Sequence, residues 1–85
     1  MKLTVRYFAA LRERVGRAEE VIDAPDNIGS VSELRNFLTL RGDPWASAFA
    51  ETRRVRAAVD QTMVDDRHAL HDGAEVAFFP PVTGG

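Results

Sequence analysis

Only one stretch of this chain sustains a helical period, and it sits among short segments that alternate. Ser30-Val31-Ser32-Glu33 has the form of a capping box, with Ser30 as N-cap and Glu33 at the third helical position. Val31, Leu34, Phe37, Leu38 and Arg41 follow at spacings of three and four, and the apolar members form one stripe. Gly42 supplies a stop. This predicts a main helix over 31–41. Lys2 to Phe8 keeps a period of two instead: Leu3, Val5 and Tyr7 fall on one face, Lys2, Thr4, Arg6 and Phe8 on the other. One amphipathic helix can cover one face of a sheet. The two patterns together constrain the chain to a two-layer α+β fold.

The remaining segments fill in that frame. Residues 9–15 hold a short helical turn ended by Gly16, and 17–23 form a second strand led by Val21 and Ile22. Ala24-Pro25-Asp26-Asn27 is a loop. Asp43-Pro44 opens a second helix, with proline at the first helical position and Trp45, Ala48 and Phe49 on one face. Trp45 is expected to pack in the core with Phe49. Residues 54–59 alternate through Val55, Ala57 and Val59. Asp60-Gln61 is a two-residue turn without the usual glycine, and 62–64 a short strand. Residues 65–72 are a polar loop anchored by Leu70. Asp72-Gly73 turns the chain into a last strand, 74–79, with Val76 and Phe78 on one face and Ala77 and Phe79 on the other. Pro80-Pro81 ends it, because neither proline can donate to a ladder. The order fits a β-grasp, or ubiquitin-like, arrangement: a mixed sheet of about five strands covered on one face by one main helix. The expected division is a domain over 1–79 and a flexible tail over 80–85.

Composition excludes several classes of function. At 85 residues the chain has room for one domain and little interior for a deep pocket. There is no cysteine, which removes disulfides, Cys-based zinc sites, iron–sulfur clusters and a cysteine nucleophile. A formal charge of −2 gives no general attraction to nucleic acid. No apolar run approaches the roughly 20 residues of a membrane span. The charged, strand-like start is not a signal peptide, so a cytoplasmic location is expected.

The ending Pro80-Pro81-Val82-Thr83-Gly84-Gly85 is the most informative stretch. Two prolines stiffen the exit from the sheet into an extended course, and two glycines make a tip without side chains. Such a tip can enter a channel too narrow for any Cβ. If Gly85 carries the terminal carboxylate, that group is a poor acyl donor until ATP converts it to an acyl adenylate. Sulfur delivered there makes a thiocarboxylate, a strong nucleophile that needs no cysteine on the carrier.

The stretch from Asp72 through Phe78-Phe79-Pro80-Pro81-Val82-Thr83-Gly84-Gly85 resembles the small subunit of molybdopterin synthase, the MoaD family. Tyr7-Phe8-Ala9-Ala10-Leu11-Arg12-Glu13 resembles that family's start, and Ala58-Val59-Asp60-Gln61-Thr62-Met63-Val64 its middle hairpin. The resemblance covers most of the chain in order and is weakest over 17–29. It implies a β-grasp sulfur carrier whose Gly85 is adenylated by a MoeB-like protein using ATP and then loaded by a sulfurtransferase. The tail, with Gly84 and Gly85 at its tip and Pro80, Pro81, Val82 and Thr83 behind them, then enters a MoaE-like large subunit. There it delivers sulfur to cyclic pyranopterin monophosphate to build the molybdopterin dithiolene. A heterotetramer of two small and two large subunits is implied as well. The large subunit supplies the catalytic pocket, and the carrier binds no cofactor of its own. Alternatives from the same residues are a thiamine-type sulfur carrier, a ubiquitin-like modifier that joins lysines, or an interaction module whose tail does nothing.

Phe8, Met63 and Phe79 share the strand face opposite the helix-facing residues, and form a candidate partner patch. The resemblance raises the weight of that patch, because the family's open sheet face contacts both partners. His68 and His71 near Asp65, Asp66 and Asp72 read as a solvated loop rather than a metal site. The basic run Arg53, Arg54 and Arg56, and Arg12 separately, could make an electrostatic contact, against the plainer reading of solvated cations.

Overall fold

The computed structural model describes residues 1–52 and 54–81. Within them the order is β1 (Lys2–Tyr7), α1 (Ala9–Val15), β2 (Glu19–Asp23), α2 (Val31–Leu40), α3 (Trp45–Glu51), β3 (Arg56–Val59), β4 (Thr62–Val64) and β5 (Glu75–Phe79). The strands form one sheet in the order β2-β1-β5-β3-β4. β1 and β5 run parallel, and the other pairs are antiparallel. The sheet is therefore mixed, as expected, and β5, the strand leading to the tail, is its centre.

The period-two reading assigned the faces correctly. Leu3, Val5, Tyr7, Val76 and Phe78 are each at most 1% exposed and lie under the helices. Ala57 and Val59 of β3 and Ile22 of β2 join them. Phe79 falls on the other face, in register with Arg56 of β3. Val21 of β2 is on the open face too and is 67% exposed, so the two strongest members of that strand point opposite ways.

α2 starts where the capping pattern places it. The Glu33 amide donates to the Ser30 hydroxyl at 3.2 Å. The Glu33 carboxylate reaches back to the Gly29 amide at 2.9 Å, one residue earlier than the usual box. Val31, Leu34 and Leu38 are fully buried, with Phe37 half-buried at the rim of the stripe. The helix ends at Leu40, with Arg41 as C-cap, and Gly42 at φ +88° turns the chain away.

The helical layer is richer than a single main helix. α1 buries Leu11 and Val15 and closes on Gly16, whose φ of +86° and bond to the Arg12 carbonyl form a left-handed cap. α3 buries Ala48 and sets Phe49 edge-on to Phe78, ring centres 5.3 Å apart. Pro44 is the residue before this helix rather than its first, and Asp43 Oδ1 caps it by accepting from the Ser47 amide.

Four strand limits differ from expectation, the first being that β1 ends at Tyr7 and not Phe8. β2 begins at Glu19 and not Arg17, and β5 at Glu75 and not Ala74. β3 begins at Arg56, because Arg54 has φ +54° and cannot lie in a strand. Asp60 and Gln61 turn with φ of +49° and +69°, the signature of a type I′ hairpin built without glycine.

Candidate functional site

Central β5 hands the chain to Pro80 and Pro81, both half-buried. The site residues Val82, Thr83, Gly84 and Gly85 lie outside the described residues, as does Arg53. The surroundings of the tail's root are well defined. β1 leaves the sheet at Phe8, which stays extended (φ −127°, ψ 152°) and donates its amide to the Phe78 carbonyl at 3.1 Å. Ala9 then turns the chain into α1 at φ +54°. This keeps Phe8 beside Phe79 on the open face, 39% exposed. Together with Ala77, Pro80 and Pro81 they line an apolar groove of about 660 Å³.

Met63 reaches the same face by a different route. The register aligns Met63 with Ala58, Ala58 with Ala77, and Ala77 with Arg6, across four strands. Met63 is 52% exposed at the β4 edge, roughly 10 Å from the β5 row, two strand spacings away. The two alanines between them leave a shallow floor. Phe8, Met63 and Phe79 are thus co-facial: the phenylalanines share one groove, and Met63 borders it across the alanines. Arg6 closes the row, its guanidinium 5.4 Å from the Phe8 ring centre and near both Glu19 and Glu75. Period-two reasoning found the large residues of this face. It could not find the alanine floor, because a small residue signals nothing until its neighbours across the sheet are known.

His68 and His71 do not come together on a shared ligand set. His71 Nε2 is 2.7 Å from an Asp60 carboxylate oxygen, and Nδ1 is 2.9 Å from the Asp72 carbonyl. Both ring nitrogens face acceptors, so only the imidazolium satisfies both. The hydrogen bond to Asp60 chiefly, then that to Asp72, raises the His71 pKa. The Asp60 pKa is lowered by the Glu75 amide first and by His71 second. Asp60 sits in the I′ turn, so the pair ties that turn to the start of β5.

A polar hub inside the helix-facing layer escaped the sequence reading. Glu20, with its side chain only 8% exposed, accepts from the Tyr7 hydroxyl at 2.7 Å, Arg41 at 3.0 Å, Trp45 Nε1 at 3.2 Å and Arg17 at 3.5 Å. Trp45 packs against the core, as expected. Its ring also lies under Arg41, 3.9 Å away, with Arg17 at 5.6 Å. Burial pushes the Tyr7 phenol pKa up, reinforced by Glu20. For Glu20 burial acts upward, but the bonds from Arg41 and Tyr7 outweigh it and hold the carboxyl below its ordinary range. The hub orients α3 against β1 and β2, and so stands behind the sheet rather than on its open face.

Among the described residues no helix is long and apolar enough to cross a membrane. The profile of the ThiS family matches residues 5–85. The molybdopterin synthase sulfur carrier subunit of Escherichia coli is 43% identical over 83 residues, which cover 98% of this chain and 99% of that protein. A solved structure from Pyrococcus furiosus, described as a putative molybdopterin converting factor subunit 1, superposes with a TM-score of 0.79 at 31% identity over 96% of this chain and 99% of that one. A complex of subunits 1 and 2 of the molybdopterin-converting factor from Helicobacter pylori contains a chain of the same fold, with a TM-score of 0.67 at 23% identity and full coverage of both. With the β-grasp topology and a tail rooted on the central strand, these likenesses place the chain: it belongs to the ThiS family, together with the molybdopterin synthase sulfur carrier subunits.

Proposed function

We propose that this chain is the sulfur carrier subunit of a molybdopterin synthase. The observation that carries the reading is the root of the tail. The central strand runs into Pro80-Pro81 and the Gly84-Gly85 ending, and beside that root lies an apolar face formed by Phe8, Phe79 and Met63. A rigid sheet presents the tail, and the open face docks whichever protein takes it.

The chemistry follows from the terminal carboxylate. A MoeB-like adenylating protein joins the Gly85 carboxylate to the α-phosphate of ATP and releases pyrophosphate. A sulfurtransferase then presents a persulfide, whose outer sulfur displaces AMP, and a thiol cleaves the resulting acyl disulfide to leave a terminal thiocarboxylate and a new disulfide. In a MoaE-like large subunit that sulfur bonds to a side-chain carbon of the bound cyclic pyranopterin monophosphate, and the C–O bond at that carbon breaks, its oxygen leaving with the phosphate or as water. Hydrolysis of the resulting thioester-type link returns the Gly85 carboxylate and leaves sulfur on the pterin. Two such deliveries complete the dithiolene. The carrier's own residues present, aim and dock the tail, and the large subunit supplies the pocket. We assign these steps to the cytoplasm.

Intact-mass analysis tests this. The carrier is incubated with the adenylating protein, ATP and a sulfur source, and Gly85 is expected to exchange one oxygen for one sulfur. Addition of the large subunit and the pterin precursor is expected to yield molybdopterin. Deleting Gly84 and Gly85 abolishes both. Attachment to lysines of other proteins would identify a modifier instead. Sulfur loading without molybdopterin formation would point to a carrier for another product.

A further inference from the structure

We infer that the β4 edge of this carrier is a second docking element, a basic groove that receives an acidic, carboxylate-bearing surface of the large subunit. This rests on the proposed role as carrier and adds a contact to it. A groove of about 740 Å³ runs along that edge. Its walls carry Arg35, Arg54, Arg56 and Arg67 against Asp65 and Asp66, in a chain whose formal charge is −2. Arg35 is already committed: it donates to the Val55 carbonyl at 3.1 Å and to Asp66 at 2.9 Å. Arg54, Arg56 and Arg67 are exposed, and among the described residues none of them pairs with a carboxylate of this chain.

Three features give the groove its partner. Its floor includes Met63 and Ala57, so it is continuous with the apolar face through Met63. Arg56 lies in register with Phe79, at the end of the sheet where the tail leaves. The opposite edge strand, β2, carries exposed Glu19 and Asp23, so the two edges differ in sign and a partner can tell them apart. An acidic surface beside the tail's entry channel meets this edge while the apolar face docks, and fixes the direction in which the tail enters. Charges at such a rim act mainly on the association rate and on its dependence on salt.

The test is the triple variant Arg54→Glu/Arg56→Glu/Arg67→Glu, compared with the native carrier for binding to the large subunit of the same organism. Binding is measured at about 50 mM and about 300 mM salt, where screening lengths differ about twofold. The native pair is expected to associate more slowly at the higher salt. The variant is expected to lose about tenfold or more in association rate at low salt, and most of the salt dependence with it. Unchanged rates and salt dependence overturn the inference, and so does a loss equal at both salt concentrations. The third outcome that overturns it is saturation of the groove's arginines by inorganic phosphate while the large subunit leaves their resonances unmoved. Thermal unfolding of the variant confirms that it folds. Sulfur loading of Gly85 in the native protein is read separately by mass: its failure would overturn the carrier role and the inference with it, whereas loading with salt-independent binding would overturn the inference alone.

Discussion

Replacing Glu20 by glutamine keeps the shape of the hub and reverses its logic. One carboxylate oxygen serves Arg17 and Arg41, and the other serves Tyr7 and Trp45. All four partners are donors, so an amide NH2 must face one pair of them. With the amide oxygen kept on the arginines, the NH2 meets a Tyr7 hydroxyl that already accepts from Trp45 at 3.1 Å. The loss is two charge-assisted bonds, at about 1.5–3 kcal/mol each and not additive. Arg17 and Arg41 are 49% and 30% exposed, and water compensates part of it. The expected destabilisation is about 2–3 kcal/mol, or about 10–20 °C in Tm for a domain of this size. Because the native Glu20 pKa is depressed, its stabilisation is present above the unfolded-state value near 4.3 and is lost as the pH falls through the folded-state value. The gap between native protein and Glu20→Gln should therefore be full at pH 7 and close in acid. Urea unfolding followed by Trp45 fluorescence reads it directly, since Trp45 is the single tryptophan and part of the hub. A gap below about 0.5 kcal/mol at pH 7, the level of an ordinary surface substitution, would refute the reasoning, as would one that widens toward pH 3.

Phe8→Arg or Met63→Asp should weaken binding to both the adenylating protein and the large subunit by about 10- to 100-fold each, the worth of one buried apolar side chain, with Tm nearly unchanged. Calorimetric titration checks this, and unaltered affinity for both partners would remove the patch from the interface. Gln61→Gly should raise stability by about 0.5 kcal/mol, since φ +69° strains glutamine and suits glycine, a difference visible in thermal melts. His71 should titrate above its ordinary pKa in an NMR titration, and Asp60→Asn should bring it down. Its folded-state pKa is raised and that of Asp60 is lowered, so any stabilisation from the pair is full at intermediate pH, lost as the pH rises through the His71 value and lost again as it falls through the Asp60 value.

Local pattern was enough to locate α2, to assign faces to β1, β3 and β5 and to set Phe8, Met63 and Phe79 on one side. It also singled out Gly84 and Gly85 as the candidate chemical site. These are short-range properties: a period of two or 3.6 reports which side of an element is buried, whatever it packs against. Strand limits were less legible, because the positive φ at Arg54 leaves no mark on residue pattern.

What the sequence by itself determined, then, is the fold class and the parity of most of the sheet. Tertiary structure alone decided that β5 lies at the centre, that α1 and α3 join α2 in covering the sheet, and that Ala58 and Ala77 floor the open face. It also decided that Tyr7, Glu20 and Trp45 meet, although 38 residues separate the first from the last. The physical reason is common to all of these. They depend on which remote segments become neighbours, and that is settled by pairing and packing across the whole domain rather than by any run of adjacent residues.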